Sequence, residues 1–108
     1  MIIPERGDII LTDLGPTSGR EQKGFRPCVV LSHLAFNQSI KMAYICAITS
    51  KIKGNSFEVN IDAAKTSGVG LAHQIKVIDL RSRKYSIVDK ASNATLREIL
   101  GRLKNIID

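Results

Sequence analysis

The apolar residues of this chain fall in short runs closed by glycine, proline or polar clusters. Only the last stretch changes to the three-and-four spacing of a helix. Strands are expected at Gly7 to Asp13, Arg26 to Ser32, Met42 to Thr49 and Phe57 to Ile61. Two short runs follow, Val69 to Gln74 and Lys76 to Leu80, with a last strand from Tyr85 to Val88. Leu34 to Ser39 has room for one helical turn, and Leu14 to Ser18 and Asp62 to Ser67 read as turns. Five or six strands in 108 residues imply a mainly β fold, a curled sheet or small barrel, in one domain spanning residues 1–108. Met42 to Thr49 is apolar on both faces and belongs near the middle of that sheet. The closing helix carries Leu96, Ile99, Leu100, Leu103, Ile106 and Ile107 on one stripe, has Ser92 as its N-cap, and turns Arg97, Arg102 and Lys104 to solvent.

Between the first two strands lies Gly19-Arg20-Glu21-Gln22-Lys23-Gly24-Phe25-Arg26-Pro27, too long for a tight hairpin and too charged to pack inside. Pro27 suits a strand start where no ladder bond is needed from its nitrogen, which holds Arg26 at a rigid edge. An arginine so placed, near a carboxylate and an amide, is equipped to grip a phosphate. By itself such a loop reads first as an exposed surface segment with one ion pair, and the rest of the chain reverses that preference.

The net charge of +6 favours a polyanionic partner, and its distribution localises that preference. A second polar loop, Ser50 to Ser56, follows the third strand. If both loops open on one sheet edge, they collect Arg20, Lys23, Arg26, Lys51 and Lys53 against Glu21. Thr49 and Ser50 add hydroxyls for phosphate oxygens, and Gln22, Asn55 and Gln74 add amides for base edges. Phe25 is suited to base stacking or to core packing. Histidine is the side-chain type suited to proton exchange near neutrality; His33 reads as structural or solvated, whereas His73 adjoins the polar Gln74.

Cys28 and Cys46 lie inside β-rich runs without metal or redox spacing, so buried reduced thiols are expected and no metal or other cofactor is implied. The N-terminus lacks the basic-then-apolar order of a signal peptide, and no apolar run approaches the roughly 18 residues of a membrane helix. A cytoplasmic location without a membrane partner is the expectation.

Several ordered motifs together resemble the MazF/PemK family of toxin–antitoxin ribonucleases. They are Gly7-Asp8-Ile9, then Gly19-x-Glu21-Gln22-x-Gly24-x-Arg26-Pro27 with Val30-Leu31-Ser32, then Ile48-Thr49-Ser50-Lys51-x-Lys53-Gly54 with Phe57-Glu58-Val59. Gly70-Leu71-Ala72-x-Gln74-Ile75-Lys76 and Arg81-x-Arg83 follow, leading to the leucine-rich final helix. The resemblance implies an SH3-like β-barrel with appended helices that forms a homodimer and cleaves single-stranded RNA without a metal. It also implies a cognate acidic antitoxin and no DNA partner. On this resemblance Arg26 and Thr49 act at the scissile phosphate, with Glu21 and Gln22 in the loop that helps form the site.

Many relatives carry aspartate where this chain has His73, so the acid–base set of the plasmid-encoded branch is absent and His73 becomes the candidate proton carrier. The alternative is that His73 only hydrogen-bonds the barrel wall. Two rival functions share these features: a gyrase poison resembling CcdB, and a non-catalytic RNA-binding module. The first is disfavoured because the chain has no tryptophan for a CcdB-like gyrase contact.

Overall fold

A computed structural model of the chain describes residues 1–16 and 18–108; the Thr17 position of the predicted Leu14–Ser18 turn lies outside the described residues. Six strands form one antiparallel sheet: β1 (Asp8–Asp13), β2 (Phe25–Val30), β3 (Met42–Thr49), β4 (Glu58–Asn60), β5 (Val69–Asp79) and β6 (Tyr85–Lys90). Helix α1 (Leu34–Ile40) joins β2 to β3, and α2 (Asn93–Ile107) ends the chain. The strand order is β4-β5-β3-β2-β1-β6, which places β3 centrally, as its two-sided apolar pattern implies. The sheet curls without closing as a continuous ladder. Its edges meet through one bridge, Ala63 with Ala91, beside a bond from Ser92 N to Asp62 O.

Alternating residues of the central strands feed two separate cores. Ile9, Val29, Cys46, Ile48 and Ala72 face one side, where Leu96 and Ile99 of α2 cover them. Ile10, Cys28, Val30, Ile45 and Ile78 face the other, completed by Leu14 and Leu80. Cys28 and Cys46 therefore sit on opposite faces and are free thiols, and burial pushes the pKa of each up to about 12. The resulting thiols are protonated and unreactive at neutral pH.

Ser92 caps α2 as its position implies, its Oγ accepting from Thr95 N at 3.1 Å. The apolar stripe is buried at Leu96 and Ile99, half-buried at Leu100 and Leu103, and exposed at Ile106 and Ile107. Helix α1 runs a little further than the single turn expected. It is secured by the buried Asn37, whose Nδ2 donates to Pro4 O and Ser32 O while its Oδ1 accepts from Ser32 Oγ.

The runs expected as two strands, Val69 to Gln74 and Lys76 to Leu80, are one long β5 with a break in register. Cys46 pairs with Ile75 and Ile48 with Gly70, so β5 passes four residues, Leu71 to Gln74, while β3 passes only Ala47. The surplus bulges toward β4, where Glu58 pairs with Leu71 and Ala72 N donates to Phe57 O at 3.1 Å.

Gly68 launches β5 with φ +122, and a Cβ there would lie 2.5 Å from Thr49 O. Both the backbone angle and the close approach exclude a side chain. Gly68→Ala is expected to destabilise the fold by about 1–3 kcal/mol, read as a lower urea midpoint at constant slope. An unchanged midpoint would show that β5 can slide away from Thr49 without cost.

Candidate active site

The bulge and the two loops enclose an open groove of about 900 Å³. Its lining brings together twelve of the candidates named from sequence: Arg20, Glu21, Gln22, Lys23, Arg26, Thr49, Ser50, Lys51, Lys53, Asn55, His73 and Gln74. Phe25 does not line it and is not core either, being 63% exposed at the start of β2 opposite Asp13. Ser18, Phe57, Glu58 and Leu71 also line the groove. Sequence reading missed these four: the alternation in Phe57-Glu58-Val59 says which residues share a face but not which face meets the loops.

Arg26 and Thr49 reach the groove from neighbouring strands. The β2–β3 ladder pairs Cys28 with Ala47 and Val29 with Cys46; Arg26 lies two residues before Cys28 in β2 and Thr49 two residues after Ala47 in β3, and both line the groove. Pro27 is the third residue of β2, one step before that ladder, so its missing N–H removes no bond from it. Arg26 Nε donates to Lys23 O at 3.0 Å, which steadies the guanidinium and leaves four of its five N–H groups for a ligand. Thr49 is nearly buried, and its Oγ1 accepts from Lys51 N at 3.1 Å, so its own hydroxyl proton is available to a second acceptor.

Gln74 does something the sequence does not reveal. Its Oε1 accepts from Gln22 N at 2.9 Å and its Nε2 donates to Arg20 O at 3.2 Å, clasping the loop on both sides of Glu21. The amide expected to read a base edge is thus committed to main chain. The loop is pinched at its base by Leu14 N to Gly24 O at 2.9 Å and Gly24 N to Gly15 O at 3.3 Å.

The opposite loop is held by Glu58, whose Oε1 accepts from Gly54 N at 2.8 Å and whose two oxygens lie 3.2 and 3.1 Å from Lys53 N. His73 stacks on Phe57 with ring centroids 3.7 Å apart, and its Nε2 lies 3.4 Å from Gln74 Nε2. Its pKa is held below the usual 6.5, first by partial burial and then by the Arg20 charge, against a smaller opposing pull from Glu58. The cation that disfavours its protonation is therefore Arg20, and at pH 7 the ring is a neutral acceptor. His33 stands away from the groove, with its Nε2 3.4 Å from the Arg6 guanidinium.

Among the described residues no three His, Cys, Asp or Glu side chains converge as metal ligands, and no helix is long and apolar enough to cross a membrane. The groove offers cations, the hydroxyls of Ser18, Thr49 and Ser50, a neutral imidazole and an aromatic surface, a set that fits a phosphodiester flanked by a flat base.

Comparison with known proteins identifies the family and the fold. The family model described as PemK-like, MazF-like toxin of type II toxin–antitoxin system matches residues 5–107. The endoribonuclease toxin MazF of Escherichia coli K12 is 42% identical over 81 residues, covering 75% of this chain and 73% of that protein. Endoribonuclease PemK of Escherichia coli is 34% identical over 110 residues, covering 95% and 81%. The crystal structure of MazF from Deinococcus radiodurans superposes with a TM-score of 0.92 at 34% identity, covering 99% of this chain and 98% of that one. MazF–antitoxin contacts are represented by a MazE–MazF complex from the same organism, which matches with a TM-score of 0.83 at 31% identity over 99% and 97%. A match over nearly all its residues, through the loops that build the groove as well as the sheet beneath them, places this chain in the PemK-like, MazF-like family of type II toxin–antitoxin toxins.

Proposed function

We propose that this MazF/PemK-family endoribonuclease cleaves single-stranded RNA at a short motif by attack of the substrate's own 2′-hydroxyl on the adjacent phosphate. The observation that carries the reading is one groove lined by Arg26 and Thr49 together with four further cations, Arg20, Lys23, Lys51 and Lys53. In the reaction the 2′-oxygen to phosphorus bond forms and the phosphorus to 5′-oxygen bond breaks. The products are a 2′,3′-cyclic phosphate and a 5′-hydroxyl. A base takes the 2′-hydroxyl proton, an acid supplies one to the leaving oxygen, and the extra negative charge on the phosphorane needs fixed donors.

Arg26 supplies those donors. Its guanidinium presents a planar fork of N–H donors and is already oriented by Lys23 O. Thr49 donates its hydroxyl proton to a phosphate oxygen while the Lys51 amide holds its own oxygen in place. His73 acts as the proton acceptor, supported by its place in the groove and its neutral state at pH 7. A cognate antitoxin neutralises the enzyme by laying an acidic segment across the basic groove. The active form is a homodimer, since Phe36, Tyr44 and Val77 leave apolar surface uncovered and the outer half of α2 does the same.

Arg26→Ala is expected to slow cleavage of a long RNA by about a hundredfold or more with the fold retained, and Thr49→Ala by less. Normal cleavage by folded Arg26→Ala would remove the assignment. Because the folded pKa of His73 lies below 6.5, cleavage should fall as pH drops below that value. His73→Ala should erase this limb along with roughly a hundredfold in rate. The same shift means the unfolded chain binds the His73 proton more readily, so folding stability also declines as pH falls through 6.5, and rate must be compared at pH values where both proteins are folded. An identical pH profile in the mutant would return the acceptor role to another group. Sedimentation at micromolar concentration should show a dimer; a monomer there would contradict the assembly.

A further inference from the structure

The groove is basic, yet two carboxylates, Glu21 and Glu58, line it, and Glu58 is seated on main-chain amides. Glu58 has no ion-pair partner within 4 Å among the described residues; its hydrogen bonds come from the successive main-chain amides of Lys53 and Gly54. Gly54 takes φ +79, and consecutive N–H groups converging from such a turn form an anion-binding concavity of the type that holds phosphate. In this chain the concavity is filled by the protein's own anion. We propose that Glu58 is a specificity-determining residue that occupies the phosphate position of the β3–β4 loop and admits there a base bearing an exocyclic amino group.

Three consequences follow from the geometry, resting on the RNA-cleaving reading above. A backbone phosphate is repelled from the Lys53–Gly54 amides, so the strand passes this point with its phosphate turned away. The base side of the nucleotide then faces the wall, beside Asn55 and the Phe57–His73 ring pair. A carboxylate is acceptor-only with about four lone-pair positions, of which the two amides use part, and the remainder suits the amino group of cytosine, adenine or guanine. Uracil, which presents carbonyl oxygens in place of that group, is refused.

Glu58→Gln isolates the charge, because the amide oxygen still accepts from Lys53 and Gly54 while its NH2 can donate to a uracil carbonyl. Cleavage sites on a long RNA are mapped for both proteins, and binding of a non-cleavable 2′-O-methyl copy of the motif is followed against salt. The variant should cut additional sites with uracil at one motif position, and its log-affinity against log-salt slope should steepen by about 0.7, one added phosphate on a single strand. An unchanged motif with an unchanged slope overturns the proposal. If the wild-type protein cleaves no RNA, the functional reading fails, while the slope still decides the role of Glu58. Should the variant not fold, single methylphosphonate linkages walked along the same oligonucleotide test the wild type. Neutralising the linkage beside Glu58 should tighten binding; weakening at every linkage overturns the assignment.

Discussion

Most of what distinguishes this molecule from a plain curled sheet depends on the break in register between β3 and β5. Regular pairing would carry Leu71 to Gln74 straight along β3, and His73 and Gln74 would remain on the sheet. Because β3 passes only Ala47 over that interval, the surplus residues move out to β4 and toward the β1–β2 loop. The bulge thus supplies the groove's imidazole, set against Phe57 beside β4, and the side chain that clasps the first loop. Gly68 permits the arrangement by letting β5 start close against Thr49 O.

The polar groups of the groove divide into those that hold and those that remain for a ligand. Gln74 and Glu58 hold, each engaging main-chain groups of one loop. Main-chain tethers of this kind fix a loop's path without using its side chains, so Arg20, Lys23, Lys51 and Lys53 remain exposed along a defined course. That division explains how loops this rich in charge keep a shape suited to positioning a phosphate, where displacements of about 1 Å can cost as much as a hundredfold in rate.

Sequence made the framework legible because alternation and glycine placement act locally. The positions of all six strands, the central place of β3, the Ser92 cap and the two-loop groove follow from residues near one another in the chain. What stayed hidden depends on pairing across the sheet. The break at Ile75 was visible as an interruption of β5, but its meaning as a bulge requires the register with β3. The amide of Gln74 was assigned to base edges because composition cannot show that Gln22 N and Arg20 O lie within its reach, 52 and 54 residues away in sequence. In sequence Glu58 is legible as part of an alternating strand and of the Phe57-Glu58-Val59 motif, whereas its relation to Lys53 and Gly54 depends on how the loop folds back.

Electrostatics ties these observations together. A chain of net charge +6 attracts any polyanion, and attraction of that kind carries no sequence information. Discrimination requires places where a phosphate is refused, so that only one register of the strand satisfies both cations and walls. In the groove the cations come from side chains on tethered loops, and the refusing charge is Glu58, seated on amides that would otherwise welcome a phosphate. Neither loop alone achieves this: without the cations the groove has no affinity, and without a fixed negative group it accepts a strand in any register. The bulge that draws β5 against β4 sets Leu71 opposite Glu58, and thereby brings the discriminating charge to the same groove as Arg26 and Thr49.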